Sequence, residues 1–418
     1  MSMQNKLIPD FGPLKNVRVL CSGSIVAMPH AATMMADFGA EMIQIERPGV
    51  GDTLRGLAPF AKYNDKKVST SWAQDARNRL SLTLELDLAI PEVKEVFIEL
   101  VKKSDIFMEN MVWLDKFGIY DEDLLKINPK LVIVHISGYG RPQFGGEADV
   151  VDRASYDMIG QAFGGSLWLN GDTDRPPMVT KPWSNDYLSA MFACFGALAA
   201  YISAQQTGKG QVVDVAQFEA TARVLCDTVI SYTEVGLVRG RSGSKAAAFQ
   251  PYGLFETKDA KYVAIGTFGP AVYKRFIKAI GEDPEYYSFK DCSSSIEAVA
   301  SPKGKELDQK INAWVSARDA KEVVDIINKA KVGCALVQTA ADVVNDPHWK
   351  SRNDIIEYED QSLGKKIKAV GVVPKMSVTP GQVWRGAPTM GQDTDLILKK
   401  LLGYDDAKIK ELKDKKLV

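Results

Sequence analysis

The stretch VRVLCSGSIVAMPHAATMMADFGAEMIQIE, residues 17–46, decides the fold. VRVL is a short apolar run of strand type, PHAATMMADF repeats its apolar residues at helical spacing, Gly39 stops that helix, and EMIQIE is a second strand. A helix returning the chain between two strands makes those strands parallel, so the unit reads as βαβ. Outward from it, RLSLTLEL from Arg79, DIFME from Asp105 and KLVIVHI from Lys130 are further expected strands, with the helical pattern PEVKEVFIELVKK from Pro91 between them. The N-terminal third is an open α/β layer of Rossmann-like type.

Asp186 opens a long helical pattern in which Leu188, Met191, Phe192, Phe195, Leu198, Ala199 and Ile202 recur on one side, and Gly208 ends it. That apolar side is expected to be buried. Residues 1–225 are therefore assigned to a large α/β domain. The glycine-, serine- and arginine-rich run from Gly236 to Ala248 falls in a linker over 226–248. A smaller α+β domain is expected over 249–345, from the alternating YVAIGTF at Tyr262, helical stretches at 272–280 and 306–315, and GCALVQT at Gly333. After Asp346 the chain is polar and irregular until a short amphipathic helix near 394–402.

Composition narrows the function classes. The chain has 418 residues, 45% of them hydrophobic, enough for two or three domains. Lys and Arg total 52 against 53 Asp and Glu, which gives no electrostatic reason to expect nucleic acid or a membrane surface as partner. Cys21, Cys194, Cys226, Cys292 and Cys334 are odd in number and widely spaced, as in a reduced cytoplasmic protein. The start MSMQNKLIPDF lacks an apolar signal core, and the apolar run 190–204 is shorter than the roughly 20 residues a bilayer requires. His30, His135 and His348 are not at ligand spacing, so no metal site is expected.

Three constellations carry possible chemistry. IERPGVGDTLRG, residues 45–56, follows a strand end, where open α/β sheets bind ligands; its glycine N–H groups with Arg47 and Arg55 suit a phosphate, although an ordinary solvated turn has the same composition. PWSNDYLSAMF, residues 182–192, puts Asp186 at a helix mouth, where the dipole and free N–H groups favour a charged carboxylate able to act as a nucleophile. Asp is also a common helix cap, and local position alone fits that role. ISGYG, residues 136–140, follows a strand and permits close backbone approach to a ligand, or is a plain turn. After the first strand CSGSIVAMP lacks the GxGxxG of dinucleotide enzymes.

Taken in order, FGPLKNVRVL, MMADFGAEMIQIERPGVGD, NPKLVIVHISGYG, YDMIGQAFGG, NGDTDRPP, SNDYLSA, TGKGQVVDVAQFEA and GQVWRGAP resemble the class III CoA-transferases (CaiB/BaiF-like), and within them most resemble the crotonobetainyl-CoA:carnitine CoA-transferases. The resemblance implies a large domain completed by residues 346–418, an interlocked homodimer, and Asp186 as covalent nucleophile. It implies CoA contacts at Arg47 and, in a shortened basic stretch over 108–119, at Lys116; Arg79, Gly138 and Tyr139 complete the candidate set. It further implies CoA as substrate with no tightly bound cofactor, and a mixed anhydride followed by an aspartyl-CoA thioester. The expected acids are carnitine, crotonobetaine or γ-butyrobetaine, with Trp168, Trp183, Tyr187 and Trp384 as possible cation–π partners; 2-hydroxy acids such as phenyllactate or 2-hydroxyisocaproate are the alternative. Met28, where the family usually has glycine, is expected to reshape the acyl pocket. The related 2-methylacyl-CoA racemases use a histidine where this chain has Tyr156, whose ordinary pKa of about 10 suits proton abstraction poorly.

Overall fold

A computed structural model describes residues 6–111 and 114–418; the first five residues of the N-terminal stretch, and Val112 and Trp113 of the 108–119 stretch, lie outside it. Strands Arg18–Cys21 (β1), Glu41–Glu46 (β2), Arg79–Thr83 (β3), Ile106–Glu109 (β4), Val132–Ser137 (β5) and Gln211–Ala216 (β6) form one sheet. Every neighbouring pair is parallel, and the order is 3-2-1-4-5-6. β6 is not among the strands expected from sequence, because Gln211 and Asp214 interrupt its apolar run. Helix Ala27–Ala36 (α1) links β1 to β2, and Pro91–Lys102 (α2) lies between β3 and β4. Helices Asp157–Phe163 (α3) and Ser184–Thr207 (α4) precede β6, and Gln217–Arg223 (α5) follows it.

Successive strand residues point to opposite faces, and two cores result. Leu20, Ile43, Leu82, Phe107 and Ile133 meet Val93, Phe97 and Leu100 of α2 together with Ile397, Leu401, Ile409 and Leu412 from the C-terminal segment. Val19, Cys21, Met42, Ile106, Met108 and Val134 meet α1 and α4 on the other face. The chain ends are also sewn by polar groups: the Ser81 N–H donates to Asp393 at 2.8 Å, and the Glu85 N–H to the Leu417 carbonyl at 2.8 Å. After Pro347 the structure contains a hairpin, Ile355–Asp360 with Lys365–Val370, where the sequence suggested irregular chain, and a last helix, Asp406–Asp414, beyond the helix expected near 394–402. The charged strands of that hairpin hide its alternation.

Helix α4 corrects the expected burial. Its inward side is a stripe of small residues, Ala190, Ala193, Ala197, Ala200 and Ala204, which lets it lie close against α1 and the sheet. Three of the larger apolar side chains face outward, with Met191 48%, Phe195 73% and Ile202 57% exposed, while Phe192 and Leu198 are half-buried against the core. With 24 residues, α4 is also longer than the 190–204 run, and is long and apolar enough to cross a membrane by length and composition alone. In this fold its alanine side covers the parallel sheet.

The chain divides into two compact units. The first takes the chain up to Ser166, Thr180–Cys226 and Pro347–Val418; the second takes Leu167–Val179 and Asp227–Asp346. The run 236–248, read from sequence as a connection, lies within the second unit. That unit has a three-stranded antiparallel sheet, Gly333–Leu336, Tyr262–Gly266 and Tyr252–Glu256 in that order, packed on helices through Phe255, Ile265, Phe276, Leu307, Ile311 and Ile327.

Ala197→Leu is expected to destabilise the protein by about 1–3 kcal/mol in urea unfolding, because the added isopropyl group cannot enter the tight helix contact. A variant as stable as the native protein would show that the stripe is loosely packed.

Candidate active site

In the order 3-2-1-4-5-6 the chain leaves β1 and β4 toward opposite sides, so a crevice opens beyond their carboxyl ends. A cleft of about 180 Å³ occupies this place. Its walls are Ser24–Ala27 after β1, Asn110 and Met111 after β4, and Ile136–Gly138 at the end of β5; Ser155, Tyr156, Asp186 and Gln217 close it. Asn110 ties the first two walls together, since its Oδ1 accepts the Ser24 N–H at 2.9 Å and its Nδ2 donates to the Ser24 carbonyl at 3.0 Å. Ile25 has φ of 70°, an unfavourable left-handed conformation for a β-branched residue. Asp52 Oδ1 holds it there by accepting the Ile25 N–H at 2.9 Å.

Asp186 stands in the first turn of α4, but it is not the cap. Trp183 occupies the N-cap position with φ of 41°, and its side chain makes no cap bond. Asp157 of α3 supplies the cap from outside the helix: its Oδ1 accepts the N–H groups of Asn185 at 2.8 Å and Asp186 at 3.2 Å. Gln161 orients Asp157 by donating to Oδ2 at 2.7 Å, and binds Thr180 at the approach to α4. The Asp186 carboxylate is left facing the cleft, where Oδ1 accepts from Gln217 Nε2 at 2.6 Å. Gln217 is in turn fixed by Ser155, whose hydroxyl donates to Oε1 at 2.8 Å.

Burial pushes the Asp186 carboxyl up to about 7; the nearby Asp157 charge adds to the rise, and the Gln217 bond opposes it. This corrects the expectation of a carboxylate held ionised by the helix end. The N–H groups that would have done so are taken by Asp157. Chemically the result is a carboxyl group more basic than an ordinary aspartate and still substantially ionised at neutral pH.

The remaining candidates are distributed unevenly. Gly138 lines the cleft, and a Cβ there would lie 2.2 Å from Ser155 Cβ. Tyr139 packs edge-on against Phe163 at 5.0 Å. Arg47 is exposed just past β2 and pairs with Glu85 at 3.2 Å; Lys116 is exposed in the short turn Leu114–Phe117. None of these three lines the cleft. Arg79 is corrected: it is fully buried, with its guanidinium bound to Thr33 at 2.8 Å, Gln44 at 2.6 Å and the Asp75 carbonyl. Gln44 then donates to Asp52 Oδ2 at 2.7 Å, so Arg79 supports the loop carrying Ile25 instead of presenting itself to a ligand. Met28 is likewise in the core and absent from the cleft wall. The four expected cation–π aromatics do not gather: Trp183 and Tyr187 pack with Leu54 and Trp72, Trp384 packs on the sheet core, and Trp168 lies in the second unit.

Sequence reasoning missed Asp157, Ser155, Gln217 and Asn110; two of them stood inside quoted motifs, YDMIGQAFGG and DVAQFEA, without a role. It also missed a buried ion cluster beside the cleft. His135 Nδ1 bonds Glu109, and Nε2 lies 3.0 Å from Asp121. Burial alone lowers an imidazole's pKa, but the bonds to Asp121 and Glu109 outweigh it and raise the group to about 9, so the ring is an imidazolium at neutral pH. The other oxygen of Glu109 accepts the Met111 N–H at 2.6 Å, fixing a cleft wall.

Comparison with known proteins adds four findings. The model of CoA-transferase family III matches residues 14–394. A bile acid CoA-transferase, BaiK, of Clostridium scindens is 34% identical over 411 residues, covering 96% of this chain and 89% of that protein. The succinyl-CoA–L-malate CoA-transferase beta subunit of Chloroflexus aurantiacus is 32% identical over 415 residues, 97% of this chain and 98% of its own. Among solved structures, a CaiB/BaiF family protein from Brucella suis superposes with TM-score 0.80 at 24% identity, covering 94% of this chain and all of that one.

The raised carboxyl has a measurable stability cost. Below about pH 4, the unfolded aspartate's range, the group is protonated in both states; as pH rises toward 7 the unfolded chain ionises it more easily, so stability falls across that window and levels off above it. Asp186→Asn removes the effect. Its thermal midpoint is expected to exceed the native value at pH 8 and to match it at pH 4; equal midpoints at both would contradict the burial of charge at this site.

Proposed function

Because this chain belongs to CoA-transferase family III, we propose that its acyl-CoA:carboxylate transfer runs through Asp186 as a covalent nucleophile in the switch-point cleft. The observation that carries the assignment is the Asp186 carboxylate itself, facing the cleft with one oxygen held by Gln217 and the other free of that bond. In the proposed course Oδ2 attacks the thioester carbonyl, the carbon–sulfur bond breaks, and a mixed anhydride forms with CoA thiolate as leaving group. The thiolate then attacks Asp186 Cγ, releasing the first acid and leaving an aspartyl-CoA thioester. The acceptor carboxylate attacks the same carbon, expelling thiolate to give a second anhydride. Attack of the thiolate on the acceptor's acyl carbon yields the new thioester and regenerates Asp186. Each intermediate is about as activated as a thioester, so the sequence needs no ATP, and CoA acts as substrate without a tightly bound cofactor.

We assign a short carboxylic acid as acceptor. The similar proteins are named for bile acid and for malate with succinyl-CoA. A cleft of about 180 Å³ walled by Ile25, Val26, Ala27 and Ile136 suits an acyl chain of a few carbons better than a steroid body. Carnitine-type betaines fit by size, but the dispersal of the four aromatics removes the cation–π argument for them. The outward apolar residues of α4 support the proposal that a second copy of the chain covers them, as the interlocked-dimer reading requires. A cytoplasmic setting is part of the same proposal.

The test crosses acyl-CoA donors with free short acids and reads new thioesters by mass spectrometry. An acid-quenched adduct is expected on the peptide containing Asp186, with kcat/KM rising with pH through a limb near the carboxyl's value of about 7. Asp157→Asn, which removes the neighbouring charge, should move that limb to lower pH. An adduct on a peptide lacking Asp186 would overturn the assignment.

A further inference from the structure

In the proposed course, a nucleophile adds to the Asp186 carbonyl carbon twice per turnover, first the CoA thiolate to the anhydride and then the acceptor carboxylate to the thioester. Each addition opens the carbonyl π bond and puts a full negative charge on Oδ1; collapse re-forms the carbonyl and expels a carboxylate in the first case and the thiolate in the second. A donor aimed at Oδ1 therefore strengthens its bond in passing from the neutral acyl intermediate to the oxyanion, which is the condition for accelerating the step.

We propose that Gln217 is that donor, a catalytic residue whose Nε2–H stabilises the oxyanion on Asp186 Oδ1. This rests on Asp186 being the nucleophile and deepens that reading. Nε2 lies 2.6 Å from Oδ1. The amide is held in the required sense, because an ionised carboxylate only accepts, so nitrogen faces Asp186 and Oε1 is left to accept from the Ser155 hydroxyl at 2.8 Å. The side chain is 7% exposed and starts at the junction of β6 and α5, so its backbone is anchored by a sheet strand. The neighbouring α3 leaves no slack: a Cβ on Gly160 would lie 3.0 Å from Gln217 Cβ and 2.0 Å from Asn185 Nδ2. The Thr221 hydroxyl, one turn along α5, donates to Asn185 Oδ1 and so keeps the start of α5 in place beside the start of α4. Ser155 acts through Gln217 and is a positioning residue.

The decisive measurement is the rate at which the aspartyl-CoA adduct forms on the Asp186 peptide, by rapid acid quench and mass spectrometry, in full-length native, Gln217→Leu, Gln217→Asn and Ser155→Ala proteins. Gln217→Leu should slow adduct formation by about 10²- to 10³-fold, with the KM for acyl-CoA changed much less. Gln217→Asn, whose amide is too short to reach Oδ1, should be slowed comparably, which covers a folding failure of the leucine variant. Ser155→Ala should fall between these and native. Loss of the Gln217 bond should also move the acid limb of kcat/KM to higher pH, a shift that a purely structural role would not produce. Adduct formation within threefold of native in folded Gln217→Leu would overturn the proposal while leaving Asp186 as nucleophile. Absence of any adduct on the Asp186 peptide in the native protein would overturn both.

Discussion

The carboxylate of Asp157, accepting the first free N–H groups of α4, is the interaction on which the cleft depends. A helix start buried without acceptors for those donors is unstable, and a charged cap satisfies them well. Because the cap comes from a different helix, it also fixes where α4 begins relative to α3. The Asp186 side chain is then free to face the crevice, and it does so beside a like charge. The cap that stabilises the helix thereby raises the basicity of the residue next to it.

Around that carboxylate the walls are held by buried polar groups rather than by apolar packing alone. Asn110 joins the loops after β1 and β4, Asp52 holds Ile25 in a conformation it would not adopt unaided, and Glu109 fixes the Met111 N–H. Each holder is itself held: Asp52 through Gln44 by Arg79, and Glu109 by the His135 imidazolium. Such residues are expensive to bury singly, and pairing offsets their desolvation. They keep the cleft's geometry defined at a place where strand ends would otherwise fray.

The two sides of α4 divide labour in the same way. Alanines at alternating spacings of three and four bring it close to α1 and the sheet, so the Asp186 turn is carried on a helix that is rigidly seated. Met191, Phe195 and Ile202, which weigh heavily in any reading of hydrophobic period, lie on the other side. Hydrophobicity alone ranks Phe195 above Ala197, whereas close packing ranks them in reverse.

The βαβ start, five of the six strands, both major helices of the first half and the position of Asp186 were legible in the sequence, because strand alternation, helical period and glycine stops are local signals. Resemblance in register across the chain carried the reaction class. The sequence did not disclose that Asp157 caps α4, that Gln217 faces Asp186, or that Arg79, a candidate CoA contact, is buried beneath the loop carrying Ile25. Those facts depend on residues separated by about 30 positions or more in the chain and brought together by a parallel sheet, whose crossovers place distant segments at one edge. The sequence by itself determined most of the elements of the first half and which carboxylate is set at a helix mouth. Only the tertiary structure decided that carboxylate's charge and partners, since both follow from burial and distance, which no local pattern encodes.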